Sequence, residues 1–220
     1  MGMSERRARQ LEERREKIMN CALRLFREEG YEAIAMQDIA DAAEISKGSL
    51  YLQFANKEAL AVALLEQTFD RLEDIIQRES ASQVSAQDRL KRIVEAYIDS
   101  SREAEGCCYN LWLLPRLSAQ PGSSQHDYLH GRIERISNLL TVIFTEGARD
   151  GTIRGDINAE NIIHLFSLIT VLFMERISAV RALAPMVHSS EENLLEEFLN
   201  IVLYYISAAP GRDFPSAGGR

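Results

Sequence analysis

Two short segments joined by a tight turn constrain this chain more than any other feature. They are Gln37-Asp38-Ile39-Ala40-Asp41-Ala42-Ala43 and Ile45-Ser46-Lys47-Gly48-Ser49-Leu50-Tyr51-Leu52-Gln53-Phe54. Ile39, Ala40 and Ala43 share one face of the first segment, and the small alanines let a second helix cross closely. Ser46 stands where the second helix needs an N-cap acceptor. Two helices so joined form a helix-turn-helix unit. In the second helix Leu50 and Phe54, four residues apart, anchor one face. Lys47, Gly48, Ser49, Tyr51 and Gln53 leave a donor-rich face outward. A short helix divided in this way is suited to a polar, anionic partner, and DNA is the first candidate.

The overall charge argues the other way until its distribution is considered. The chain has 220 residues, 46% of them hydrophobic, and a formal charge of −8. Residues 1–27 hold eight Arg or Lys against four Glu, so this end carries +4 and the remainder −12. A basic end on an acidic body suits a protein that meets phosphate with one domain only. Arg6, Arg7 and Arg9 are either a solvated helix face or an arm that touches phosphate. Three cysteines, two of them the adjacent Cys107 and Cys108, provide no disulfide framework and fit a reduced, cytoplasmic setting. No secretory signal opens the chain. The most apolar run, 162–174, contains His164 and is shorter than the roughly 20 apolar residues that a membrane helix needs.

Nearly every segment has helical period and none alternates at period two, so the fold class is all-α, with about nine helices. The first runs from about 11 to 29, with Gly30 at its C-cap. Asn56 caps a fourth helix from 57 to about 79, and 80–86 is a polar linker. Further helices are predicted at about 86–103, 127–149 and 159–178. Gly151 ends the 127–149 helix, and Asp156 or Asn158 opens the 159–178 helix. A capping box at Ser189-Ser190-Glu191-Glu192 opens the last helix, which ends near 207. We divide the chain into a helix-turn-helix domain at 1–60, a larger helical body at 61–209, and a Gly-, Pro- and Ser-rich tail at 210–220 that is expected to be disordered.

The Asp-Ile-Ala element at 38–40, Ser-Lys-Gly-Ser-Leu-Tyr at 46–51 and Phe-x-Asn-Lys-Glu at 54–58 stand at the mutual spacing of a known family. From about 18 to 60 the chain resembles the TetR/AcrR transcriptional regulators, and beyond that the likeness is architectural. The resemblance implies that the third helix enters the major groove of operator DNA. It places Lys47, Gly48, Ser49, Tyr51 and Gln53 on recognition-helix positions, Gln37 near the start of the second helix, and Lys57 at the start of the fourth. Gln side chains pair with adenine edges, and a helix N-terminus favours phosphate. Two departures stand out. The family favours Thr or Ser where this chain has Ala35, which removes a side-chain cap worth about 0.5–2 kcal/mol. It favours Gly in the turn where this chain has Glu44, which must adopt that turn under strain and brings negative charge towards DNA.

The resemblance also implies a homodimer and a small-molecule inducer bound within the body. Val171, Leu172, Leu195, Phe198, Leu199, Val202 and Tyr205 lie on the last two helices, which are more apolar than a lone body needs, and form the expected dimer interface. Tyr97, Tyr109, Trp112, Phe144 and Phe166 are the expected pocket lining for a largely apolar ligand, although aromatics at helical spacing also serve as plain core. His126 and His130 lack a third metal ligand in sequence, and Cys107-Cys108 reads as packing before sensing. No cofactor, metal site or catalytic residue is expected. A helical small-molecule-binding protein or enzyme with an incidental basic end is the alternative. No Gly-rich phosphate loop, HExxH or GxSxG supports it.

Overall fold

The computed structural model describes residues 3–102, 113, 117, 122–175 and 191–208. Tyr109, Trp112, the Cys107-Cys108 pair, the Ser189-Ser190 caps and the 210–220 tail lie outside the described residues. So do the side chains of Val171, Leu172 and Leu195. Eight helices are described: α1 Met3–Glu29, α2 Met36–Ala42, α3 Lys47–Gln53, α4 Lys57–Ser80, α5 Ala86–Arg102, α6 Ser124–Asp150, α7 Ala159–Glu175 and α8 Glu191–Ile206. No strand is present among the described residues. The all-α expectation holds.

The chain forms two compact units, one of Met1–Arg71 with Ser100–His130, the other of Leu72–Asp99 with Gly131–Arg220. In the first, α1 buries Ile18, Met19, Ala22, Leu23 and Phe26, spaced on one stripe. Ile39, Ala40 and Ala43 of the α2 segment and Leu50 and Phe54 of the α3 segment are equally buried, as are Leu60, Leu64 and Leu65 of α4. Each Ile, Leu, Met or Phe among them contributes about 1.5–3 kcal/mol when fully removed from water, and each Ala less. This core fixes the angle at which α3 is presented.

α1 begins at Met3, eight residues before the expected start. The added turns have no apolar stripe. They are held by propensity and by i,i+4 pairs such as Arg9–Glu13 (2.9 Å). Arg6, Arg7 and Arg9 are therefore carried on a helix.

The second unit packs Ile75 and Ile76 of α4 with Leu90 and Ile93 of α5, Ile143 and Phe144 of α6, Ile163 of α7 and Ile206 of α8. The turn after α6 is tied in at both ends. Gly151 ends α6 with a φ of 76°. The Thr152 and Ile153 N–H groups donate back to the Gly147 carbonyl at 3.1 and 3.0 Å. Beyond them, the Arg154 N–H donates to the Ile206 carbonyl (3.0 Å) and the Ala208 N–H to Thr152 (3.1 Å), forming a single bridge between Ile153 and Ser207. Ile153 can drop onto α6 because position 147 is a buried glycine. Asn158 Oδ1 then accepts the Asn161 N–H at 2.9 Å and opens α7.

Candidate DNA-binding surface

Capping places the α2–α3 unit. Ser46 Oγ accepts the Ser49 N–H (3.1 Å) and lies 2.9 Å from Ser49 Oγ, so both serines close the first turn of α3. Ala35 gives α2 no side-chain cap. Asp38 compensates by accepting the Ala35 N–H at 2.7 Å, and its charge complements the helix N-terminus. The turn between the helices is made by Glu44 at a φ of 56°, the left-handed region that costs a non-glycine residue about 1–2 kcal/mol. The strain expected at this position is present. Lys17 answers the Glu44 carboxylate at 3.2 Å across an exposed pair.

The outward face of α3 is made by Lys47, Gly48, Tyr51 and Leu52, all exposed, with Ser49 and Gln53 at its edges, half-buried. A Cβ on Gly48 would meet nothing within 4 Å among the described residues, so this point of the face is open. Leu52 is 87% exposed and belongs to the same face, although a search for hydrogen-bond donors passes over it. Its spacing of four residues from Gly48 is the signal that would have found it. Gln37 is exposed on α2, its amide donating to Asp41 Oδ1 at 2.8 Å. Arg15 of α1 lies over the Phe54 ring, 4.5 Å from its centroid, and bolts α1 to the end of α3.

Lys57 has a second occupation. Its Nζ donates to the carbonyls of Tyr31 (2.8 Å) and Ile34 (3.0 Å) and sits 4.3 Å from the Tyr31 ring centroid. It therefore latches the loop between α1 and α2 to the start of α4. Two of its three N–H groups are engaged in this way. Asn56 Oδ1 caps the same helix by accepting the Ala59 N–H at 2.7 Å.

In the second unit, Tyr97 and Phe144 are buried and Phe166 half-buried. Tyr97 meets Phe166 edge-on with centroids 6.4 Å apart, and Phe166 stacks on Phe198 at 6.1 Å. Phe144 belongs to the surrounding core. His164 is exposed on α7.

The residues proposed for a dimer divide between two faces. Leu199 is fully buried in its own unit, and Phe198 and Val202 are half-buried, whereas Tyr205 is exposed. The apolar side chains left outside are Leu165 and Leu168 on α7 and Leu194, Ile201, Tyr204 and Tyr205 on α8, between 36% and 63% exposed. His126 and His130 stack at 6.2 Å in the first unit. Among the described residues no group of three His, Cys, Asp or Glu side chains could hold a metal ion. No described helix is long and apolar enough to cross a membrane.

Residues 18–64, the segment that builds this surface, match the profile of "Bacterial regulatory proteins, tetR family". Over these residues the chain carries the N-terminal domain of the TetR family. The HTH-type transcriptional repressor KstR2 of Mycolicibacterium smegmatis is 28% identical over 200 residues, which span 90% of this chain and 93% of that protein. The solved structure of the ketosteroid transcriptional regulator KstR2 of Mycobacterium tuberculosis superposes with a TM-score of 0.61 at 25% identity, covering 88% of this chain and 95% of the other. The HTH-type transcriptional activator FasR of M. smegmatis is 34% identical over 88 residues, 40% of each chain. These relatives are regulators rather than enzymes. With its TetR-type N-terminal domain and these relatives, the chain is a transcriptional regulator.

Proposed function

We propose that this TetR-family regulator is a repressor that binds a pseudo-palindromic operator as a homodimer and is released by a small, largely apolar ligand. The observation that carries the reading is the free outer face of α3, with Lys47, Gly48, Tyr51 and the edge residues Ser49 and Gln53 raised on a fully buried base of Leu50 and Phe54. Gln37 and Gln53 supply amides for adenine edges, whereas Lys47 and Tyr51 supply backbone contacts. The start of α4 contributes a phosphate site whose loop is held in place by Lys57. The exposed cations of α1, among them Arg6, Arg7, Arg14 and Lys17, extend the same field. Repression is favoured over activation because the relative that is named a repressor matches across 90% of this chain, whereas the named activator matches across 40%.

The dimer surface in this reading is the apolar stripe of Leu165, Leu168, Leu194, Ile201, Tyr204 and Tyr205 on α7 and α8. Several large apolar side chains at helical spacing on two helices are more than scattered exposure, and they mark a surface that another molecule covers. A second copy suits the two-fold symmetry that most soluble oligomers adopt. Two copies place two α3 helices on half-sites one DNA turn, about 34–36 Å, or a multiple apart.

The ligand in this reading enters the aromatic set of Tyr97, Phe166 and Phe198, which edge-on and stacked rings keep rigid. A relative described as a ketosteroid regulator fits an apolar ligand class. Release of DNA needs a ligand that binds one state better than the other, since equal binding shifts nothing.

The test is binding to a fluorescent operator together with sedimentation. The reading predicts dimers, affinity that falls steeply with salt, and loss of both dimer and operator binding in Ile201→Asp. Affinity insensitive to salt would remove the DNA reading. An Ile201→Asp variant that remains dimeric would remove the proposed interface.

A further inference from the structure

We propose that Leu52 is a base-reading residue and that each half-site of the operator contains a thymine recognised by its methyl group through this side chain. The inference rests on α3 being the reading helix, as proposed above. α3 turns about 100° per residue, so Leu52 points away from Leu50, its buried neighbour two residues earlier. It stands one turn beyond Gly48 and beside Tyr51 on the outer face, and at 87% it is the most exposed large apolar side chain among the described residues. Nothing among the described residues covers it. Gly48 adds no side chain on that face, and a Cβ there would meet open space. Lys47 is exposed on the same helix, and α1 of the same unit carries the exposed Arg6, Arg7 and Arg14, so an anionic partner is the one drawn to this unit.

A leucine at the centre of such a face can make neither a phosphate contact nor a hydrogen bond to a base edge. Within the major groove the base pairs present one apolar group, the C5-methyl of thymine. Contact with that methyl is the arrangement in which both the side chain and the base lose water-exposed apolar surface. Gln53 at the adjoining position is placed to read the neighbouring base pair, and the two side chains together would specify a thymine next to an adenine-containing pair.

Deoxyuridine differs from thymidine only by that methyl, which makes a direct test available. An operator is first selected from random duplex DNA with the full-length protein. Each thymine is then replaced in turn, symmetrically, by deoxyuridine, and Kd is measured for the wild type and for Leu52→Ala. One methyl is worth about fourfold in affinity, so replacement at the read position weakens wild-type binding about fourfold per half-site and about fifteenfold for both. Leu52→Ala binds the thymine and uracil operators equally. Leu52→Gln, of similar length with a polar end, serves as the second variant and also loses the thymine preference.

The inference is overturned if no thymine position responds to methyl removal. It is equally overturned if the two variants keep the wild-type penalty, which would assign the methyl to another side chain. Failure to select any preferred sequence would remove the DNA reading itself and this inference with it. That result is distinguishable from a selected operator that ignores uracil.

Discussion

Gly147→Ala and Gly131→Ala make the same chemical change in the same helix, α6, and should move stability in opposite directions. Removing a glycine from a helix interior favours folding by about 1 kcal/mol through backbone entropy. At Gly131, which is exposed and whose added Cβ would meet nothing within 4 Å, that gain stands alone. At Gly147 the added Cβ would lie 2.6 Å from Ile153 Cγ1 and 2.9 Å from Ala86 Cβ. Carbon atoms prefer separations of about 3.5–4.0 Å, so both neighbours must retreat. Ile153 is poorly placed to do so. Its N–H is bound to the Gly147 carbonyl at 3.0 Å, and its residue forms the bridge to Ser207. Overpacking in a tight core costs about 1–3 kcal/mol, and the clash comes from two sides, so the upper half of that range applies. After the entropic gain, Gly147→Ala should lose about 1–2 kcal/mol and Gly131→Ala should gain up to about 1 kcal/mol. In a chain of this size that corresponds to a Tm lowered by about 2–8 °C for the first and raised by up to about 4 °C for the second. Thermal and urea unfolding at fixed protein concentration measure both. Equal stabilisation of the two variants would refute the close packing of Ile153 on α6.

Three further outcomes follow from the same structure. Lys57→Met should lower stability by about 2–3 kcal/mol in urea unfolding, because it removes two charge-assisted hydrogen bonds and the contact with Tyr31; an unchanged midpoint would show that the latch is dispensable. Glu44→Gly should raise stability by about 1 kcal/mol, since glycine adopts the left-handed turn freely and the lost exposed pair with Lys17 is worth little, and operator affinity should rise with it. Hydrogen bonds from the Thr152 hydroxyl (2.5 Å) and N–H (2.9 Å) hold the Asp150 carboxyl below its usual range. A carboxylate with a depressed folded value stabilises above its unfolded pKa, about 3.9, and loses that contribution as pH falls below it. The wild-type protein should therefore lose stability more steeply than Asp150→Asn below about pH 4, and parallel acid-unfolding curves would count against the Thr152 contacts.

The parts of the fold that local chemistry decides were legible in the sequence. Ser46, Asn56, Gly30 and Gly151 cap or end helices where their side chains and backbone freedom require it. The strain at Glu44 followed from a tight turn that lacks glycine. What local chemistry does not decide was misjudged or missed. The first eight residues of α1 carry no apolar stripe, so periodicity started the helix at 11 whereas the structure begins it at Met3. The latching role of Lys57, beside the phosphate contact expected of it, does not show in sequence, because the carbonyls it binds belong to residues 26 and 23 positions earlier. α8 is apolar on more than one side, and sequence cannot tell Leu199, fully buried, from Ile201, 63% exposed two residues later. Leu52 carries no donor or acceptor, so hydrogen-bonding chemistry does not single it out in sequence, although it is the most exposed large apolar side chain among the described residues.

The central claim is that α3 reads base sequence. Selection of operators from a random duplex pool, run in parallel with wild type and Gln53→Ala, tests it most directly. The account predicts an inverted repeat with half-sites one helical turn or a multiple apart for the wild type. For Gln53→Ala it predicts the same repeat with preference relaxed at one symmetric base pair, by about 1–3 kcal/mol of discrimination. An identical consensus from both proteins, or no enriched sequence from the wild type, would contradict it.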